Sequence, residues 1–71
     1  MKFEFIDSRN IKFVFEIVGN DLMILANAID GSFFFTAKEP LKDLTARELW
    51  WLPSQEALQF WMRIWNNKAF L

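Results

Sequence analysis

Three turn signals divide the first half of the chain, and read independently they demand the same folded surface. Residues 2–6 alternate, Phe3 and Phe5 one way and Lys2 and Glu4 the other, which is the pattern of a half-buried strand. Asp7-Ser8-Arg9-Asn10 is turn chemistry. Residues 11–18 form the clearest strand, with Ile11, Phe13, Phe15 and Ile17 on one face and Lys12, Val14, Glu16 and Val18 on the other. Gly19-Asn20 signals a tight hairpin, residues 22–29 make a third strand, Asp30-Gly31 signals another hairpin, and residues 32–37 make the fourth. A left-handed Asn10 in the first turn sets Phe5 opposite Phe13, Phe3 opposite Phe15 and Lys2 opposite Glu16. A tight turn at Gly19-Asn20 sets Ile17 opposite Leu22, Phe15 opposite Ile24 and Phe13 opposite Ala26. A tight turn at Asp30-Gly31 sets Ala28 opposite Phe33 and Ala26 opposite Phe35. A slip of one residue would turn a whole strand over, so the agreement specifies an antiparallel meander of four strands with one strongly apolar face.

Residues 54–67, SQEALQFWMRIWNN, supply the cover for that face. At about 100° per residue, Ala57, Leu58, Phe60, Trp61, Met62, Ile64 and Trp65 fall in one arc, and Gln55, Glu56, Gln59, Arg63, Asn66 and Asn67 fill the rest. The spacing predicts an amphipathic helix over 55–66, capped by Ser54 and ended by an asparagine in the left-handed region. Its apolar arc is roughly 200° wide, about twice what one packing surface needs. A second body must cover the flank: another helix, the tail Ala69-Phe70-Leu71 or another chain. Lys38-Glu39-Pro40 is expected to end the sheet. After it, Thr45 with Glu48 reads as a capping box and Leu44 with Leu49 as a hydrophobic staple, which predicts a short helix over 46–51 packed on the main one. Trp50 and Trp51 cannot both point inward from one helix, so one belongs at a surface. The fold class is α+β: four antiparallel strands, then a short and a long helix on one face of the sheet, in a single domain over 1–71.

Composition narrows the chemistry. A 71-residue chain with no cysteine must hold itself together by core packing or by oligomerisation; nine phenylalanines and four tryptophans make the first route credible. There is no His, Cys or Tyr, which removes the commonest general bases, nucleophiles and soft metal ligands. Asp7, Asp21 and Asp30 sit in turns, where Asp serves the backbone. The two glycines are hairpin glycines, so no phosphate-cradling loop exists. No catalytic residue, cofactor site, metal site or small-molecule substrate is expected. The net charge is −1 with no basic run, so nucleic acid is a poor partner, even for a tryptophan cluster that could stack bases. No apolar stretch approaches a bilayer span, and the helix lacks the basic polar face of a membrane-surface helix; a soluble, cytoplasmic protein is expected.

The outer sheet face is the functional candidate. On the first two strands it carries Lys2, Glu4, Lys12 and Glu16; on the other two it reads Met23, Leu25, Asn27, Ile29, Ser32, Phe34 and Thr36. That half is too apolar for water, and such patches mark contact surfaces unless the tail or residues 40–44 fold over them. The expected partner-binding residues are Met23, Leu25, Asn27, Ile29, Phe34 and Thr36, with Trp51 or a sheet edge as an accessory. The expected role is a non-catalytic binding or inhibitory module that occupies a site on a larger protein, a role often taken by small chains encoded by phages or mobile elements. The second reading is a structural homo-oligomer using the same face or the helix arc.

Overall fold

The computed structural model describes residues 1–41 and 49–67. Four strands, β1 (Lys2–Ile6), β2 (Ile11–Val18), β3 (Asp21–Ala28) and β4 (Phe34–Pro40), form one antiparallel sheet in the order β1-β2-β3-β4. One helix, α1 (Gln55–Asn67), follows. The register is the one the turns demand: Phe5 faces Phe13, Phe15 faces Ile24, and Ala26 faces Phe35.

The turns achieve this in three ways. Asn10 takes a φ of 62°, alone in the left-handed region among the described non-glycine residues. Its N–H donates to the Asp7 carbonyl at 3.0 Å, and the Asp7 N–H donates to the Ile11 carbonyl at 3.0 Å. Gly19 takes a φ of 61° ahead of Asn20, as a tight hairpin with Gly in first place requires. The third hairpin keeps its register but opens by one pair. Ile29 turns its N–H to the Asn10 carbonyl at 3.1 Å, and Gly31, at φ 80°, donates to the Ala28 carbonyl at 2.9 Å. The last β3–β4 contact at this end is therefore the Ala28 N–H on the Phe33 carbonyl, at 2.9 Å. Ala has to strain to reach the φ of Asn10, whereas Gly does not. Asn10→Ala should accordingly lower stability by about 1 kcal/mol and Asn10→Gly should leave it unchanged or higher, as read by urea unfolding.

Strand boundaries differ from expectation in β3, which spans Asp21–Ala28 in place of 22–29, and at both ends of β4. β4 begins at Phe34, because the open turn holds Ser32, and it runs on through Lys38, Glu39 and Pro40. The proline does not stop it because β4 is the edge strand. Leu41 donates its N–H to the Asn20 carbonyl at 2.8 Å, so the backbone of Pro40, one residue earlier, faces away from β3 and its missing N–H breaks no ladder bond.

The inner face is the core. Phe13 and Phe15 of β2 and Leu22, Ile24, Ala26 and Ala28 of β3 are buried, with Phe3 and Phe5 of β1, Phe35 of β4 and Phe33 just before it half-buried. Ala26 lies between Phe13 and Phe35, and Ala28 beside Ile11; small residues in the middle leave room for large rings from both sides. α1 crosses this surface with Phe60 stacked on Phe5 at 4.9 Å and Trp61 stacked on Phe15 at 5.5 Å. Every residue of its apolar arc is buried or half-buried, and all six polar ones are exposed. The helix runs through Asn67, and neither Asn66 nor Asn67 adopts a left-handed φ. The Ser54 hydroxyl accepts the Ala57 N–H at 3.1 Å, so it is the N-cap.

The cover on the β4 side comes from a turn. The capping box, the staple residue Leu44 and residues 46–48 of the expected short helix lie outside the described residues. Leu49, Trp50 and Trp51 form a turn in which the Leu52 N–H donates to the Leu49 carbonyl at 3.0 Å; a second helix is not shown. Leu49 and Leu52 are buried in the core, and Trp51 packs on Phe35 with ring centroids 5.6 Å apart.

Candidate functional site

Side chains alternate along each strand, so the ladder writes out the outer face in rows. One row reads Glu4, Val14, Leu25, Thr36; the next toward the β3–β4 turn reads Ile6, Lys12, Asn27, Phe34; the one on the other side reads Lys2, Glu16, Met23, Lys38. The sequence-expected residues Met23, Leu25, Asn27, Phe34 and Thr36 are thus neighbours on adjacent strands. Phe34 is 69 % exposed, Met23 39 % and Leu25 36 %. No other described element covers them.

A shallow depression of about 460 Å³ lies on this face, lined by Val14 and Val18 of β2, Met23 and Leu25 of β3 and Thr36 of β4, with Lys2 and Glu16 at its rim. Val14 and Val18 were not in the sequence-derived site, although their alternation with Phe13 and Phe15 puts them on this face. The apolar strip therefore starts on β2. Ion pairs frame it. Lys12 Nζ sits 2.9 Å from Glu4 Oε1, and Lys38 Nζ 3.6 Å from Asp21 Oδ2. The Lys12 hydrogen bond, followed by its charge, holds the Glu4 carboxyl below its usual range.

Two expected residues stand apart. Ile29, 65 % exposed, lies in the β3–β4 turn rather than in the ladder. Trp51 is on the opposite side of the sheet against Phe35, and Trp50 is the ring left in water, 78 % exposed.

A polar cluster at the β1–β2 turn has a different character. The Asp7 side chain is fully buried, and its Oδ1 accepts the N–H groups of Arg9 at 2.9 Å and Ile11 at 3.0 Å. Its Oδ2 accepts Arg9 Nε at 3.2 Å and Nη2 at 3.0 Å. Burial pushes this carboxyl up, but the Ile11 N–H, the Arg9 side chain and N–H and the Ser54 hydroxyl together hold it below its usual value. Arg9 Nη2 also donates to the Pro53 carbonyl, and Glu56 accepts the Ser8 hydroxyl at 2.6 Å and the Ser8 N–H at 3.2 Å. These contacts tie the β1–β2 turn to the start of α1. Both Asp7 oxygens are engaged by the fold, so the cluster is a clamp. Asp30 serves its own turn in the same way, accepting the Ser32 N–H at 2.9 Å, whereas Asp21 pairs with a side chain across the sheet.

Among the described residues no three carboxylates, histidines or cysteines gather to hold a metal ion, and no helix is long and apolar enough to cross a membrane. No protein-family model, curated protein or solved structure matches this chain.

Proposed function

We propose that this chain is a small non-catalytic protein-binding module that holds or blocks a site on a larger protein with the outer face of its sheet. The observation that carries the reading is the uncovered strip of Phe34, Leu25 and Met23 lying across β3 and β4 and flanked by paired charges. Aromatic and methionine side chains inside a charged frame have the composition of an interface centre with a polar rim. A chain with no His, Cys or Tyr has little to offer chemistry and enough flat surface to offer contact. The sheet supplies rigidity: the same strands that display Leu25 and Met23 bury Ile24, Leu22 and Ala26 on the other side, so the exposed side chains are held in place before a partner arrives.

The test compares wild-type bait with Phe34→Asp in capture from lysate of the source cell, with circular dichroism on both. Phe34 is mostly in water, so the substitution should change stability by less than about 0.5 kcal/mol. A charge within the strip should weaken the partner by about 30-fold or more. One stoichiometric partner that is retained by wild type and lost from the variant is the expected result. Equal recovery by both baits would remove the outer face as the docking surface.

A further inference from the structure

We propose that two copies of this chain pair through their β4 edges, antiparallel about a two-fold axis at Thr36, to form one continuous sheet. β4 is an edge strand among the described residues. The Phe33 carbonyl and the Leu41 N–H both point to β3, so by the two-residue period the backbone groups of Phe34, Thr36, Lys38 and Pro40 point outward. None of these outward groups has a hydrogen-bond partner among the described residues. No residue of β4 is fully buried, unlike β2 and β3.

The edge is complementary to itself when the axis lies at Thr36. With the axis at Thr36, Thr36 faces its own copy and Phe34 faces Lys38 of the second copy, so every outward N–H meets an outward carbonyl. Pro40, which has no N–H, falls beyond the last of these pairs. An axis at Lys38 would set two ammonium groups opposite each other and would put Pro40 against Thr36, wasting a carbonyl. An axis at Phe34 would leave Lys38 facing the turn. In the Thr36 register no like charges oppose, a Thr–Thr pair sits at the centre, and on the inner side Phe35 meets Ala37 of the second copy. This repeats the large-on-small pairing of Phe35 with Ala26.

The other edge is built differently. The Ile17 N–H donates to the Met1 carbonyl at 2.8 Å, so Lys2, Glu4 and Ile6 carry the outward groups of β1. Self-pairing centred on β1 would set Glu4 against Glu4. Pairing β1 with β4 with Glu4 opposite Thr36 would set Lys2 against Lys38, and a shift of two residues would set Lys2 against Pro40, which has no N–H to give. Like charges and a proline are both devices that keep an edge from joining others. Pairing at β4 closes as a dimer, because each copy's β4 is used up. It also places both outer faces on the same side, so Phe34, Leu25 and Met23 of the two copies adjoin.

Sedimentation over a concentration series, with wild type beside Thr36→Pro, tests this. The Thr36 N–H faces outward, so proline should leave the monomer folded by circular dichroism. It removes both central bonds of the pair and should raise the dimer dissociation constant by about a hundredfold. The chain has no cysteine, so Thr36→Cys gives a second readout that does not depend on the proline. Hydrogen-bonded antiparallel neighbours have Cα atoms about 5.5 Å apart, within disulfide reach, and mild oxidation should link Thr36→Cys but not Lys2→Cys. A monomeric wild type, a dimer that persists in folded Thr36→Pro, or cross-linking that is equal at both edges would overturn the proposal. Phe34→Asp should still dimerise, since the introduced carboxylate would face Lys38 of the second copy, so loss of the docking surface and loss of the dimer are read separately.

Discussion

Trp61→Ala should lower the stability of the chain by about 3–5 kcal/mol, the largest loss of any single truncation. Trp61 has no exposed surface and stacks on Phe15, with the Trp65 ring 6.1 Å away. Truncating a buried tryptophan costs about 3–5 kcal/mol, part lost transfer energy and part the cavity left behind. A chain of this length has a total stability of about 4–11 kcal/mol, so one side chain carries much of it. The site is also poorly placed to collapse. Its wall on one side is a sheet fixed by three hairpins, and the helix is tied at its start by Ser54, Arg9 and Glu56. Trp50→Ala should shift the urea midpoint by no more than the equivalent of about 0.5 kcal/mol, because its ring stands in water. Urea unfolding followed by circular dichroism checks both. A Trp61→Ala protein that unfolds like wild type would mean that the helix docks mainly through Phe60.

The contrast between the two tryptophans marks where sequence reasoning stopped. Strand faces were readable because two independent signals, the period of two and the turn chemistry, had to agree, and for Phe5, Phe13, Phe15, Ala26 and Phe35 they did. The helix arc was readable for the same kind of reason. No local signal says whether Trp50 or Trp51 turns inward. That depends on Phe35, a residue distant in sequence whose half-buried ring takes Trp51 as its cover. Pro40 misled in the opposite way: proline excludes a central strand but is harmless on an edge whose backbone faces out, and edge position is a property of the whole sheet. The outer-face strip was legible at Met23, Leu25 and Phe34. Its extension onto Val14 follows from the pairing of Val14 with Leu25. The Asp7 clamp was half legible. Its service to the turn backbone is local chemistry, but its burial and its link through Arg9 to Pro53 join residues 44 positions apart.

That clamp carries the second large effect. Asp7→Asn should destabilise the protein at neutral pH by about 2–3 kcal/mol and flatten its response to acid. The carboxylate accepts two backbone N–H groups and a guanidinium fork. An amide can supply one oxygen but must turn an N–H₂ group toward another donor. The Arg9 side chain is 55 % exposed, so water screens part of the pair and keeps the cost below that of breaking a fully buried one. The sign with pH follows from the direction of the shift. The folded-state pKa of Asp7 lies below its ordinary value, so folding favours the charged form. The stability this contributes is fully present above the unfolded pKa, about 3.9, and is lost as pH falls through the folded value. Wild type should therefore lose stability steeply below about pH 4, and the gap between it and Asp7→Asn should narrow over the same range. Glu4 and Asp30 also titrate low, but they are present in both proteins and cancel in the difference. Urea midpoints from pH 7 down to pH 2.5 at fixed ionic strength would measure it. A gap that stayed constant across that range would mean Asp7 acts through the shape of its hydrogen bonds alone and its charge contributes nothing to the fold.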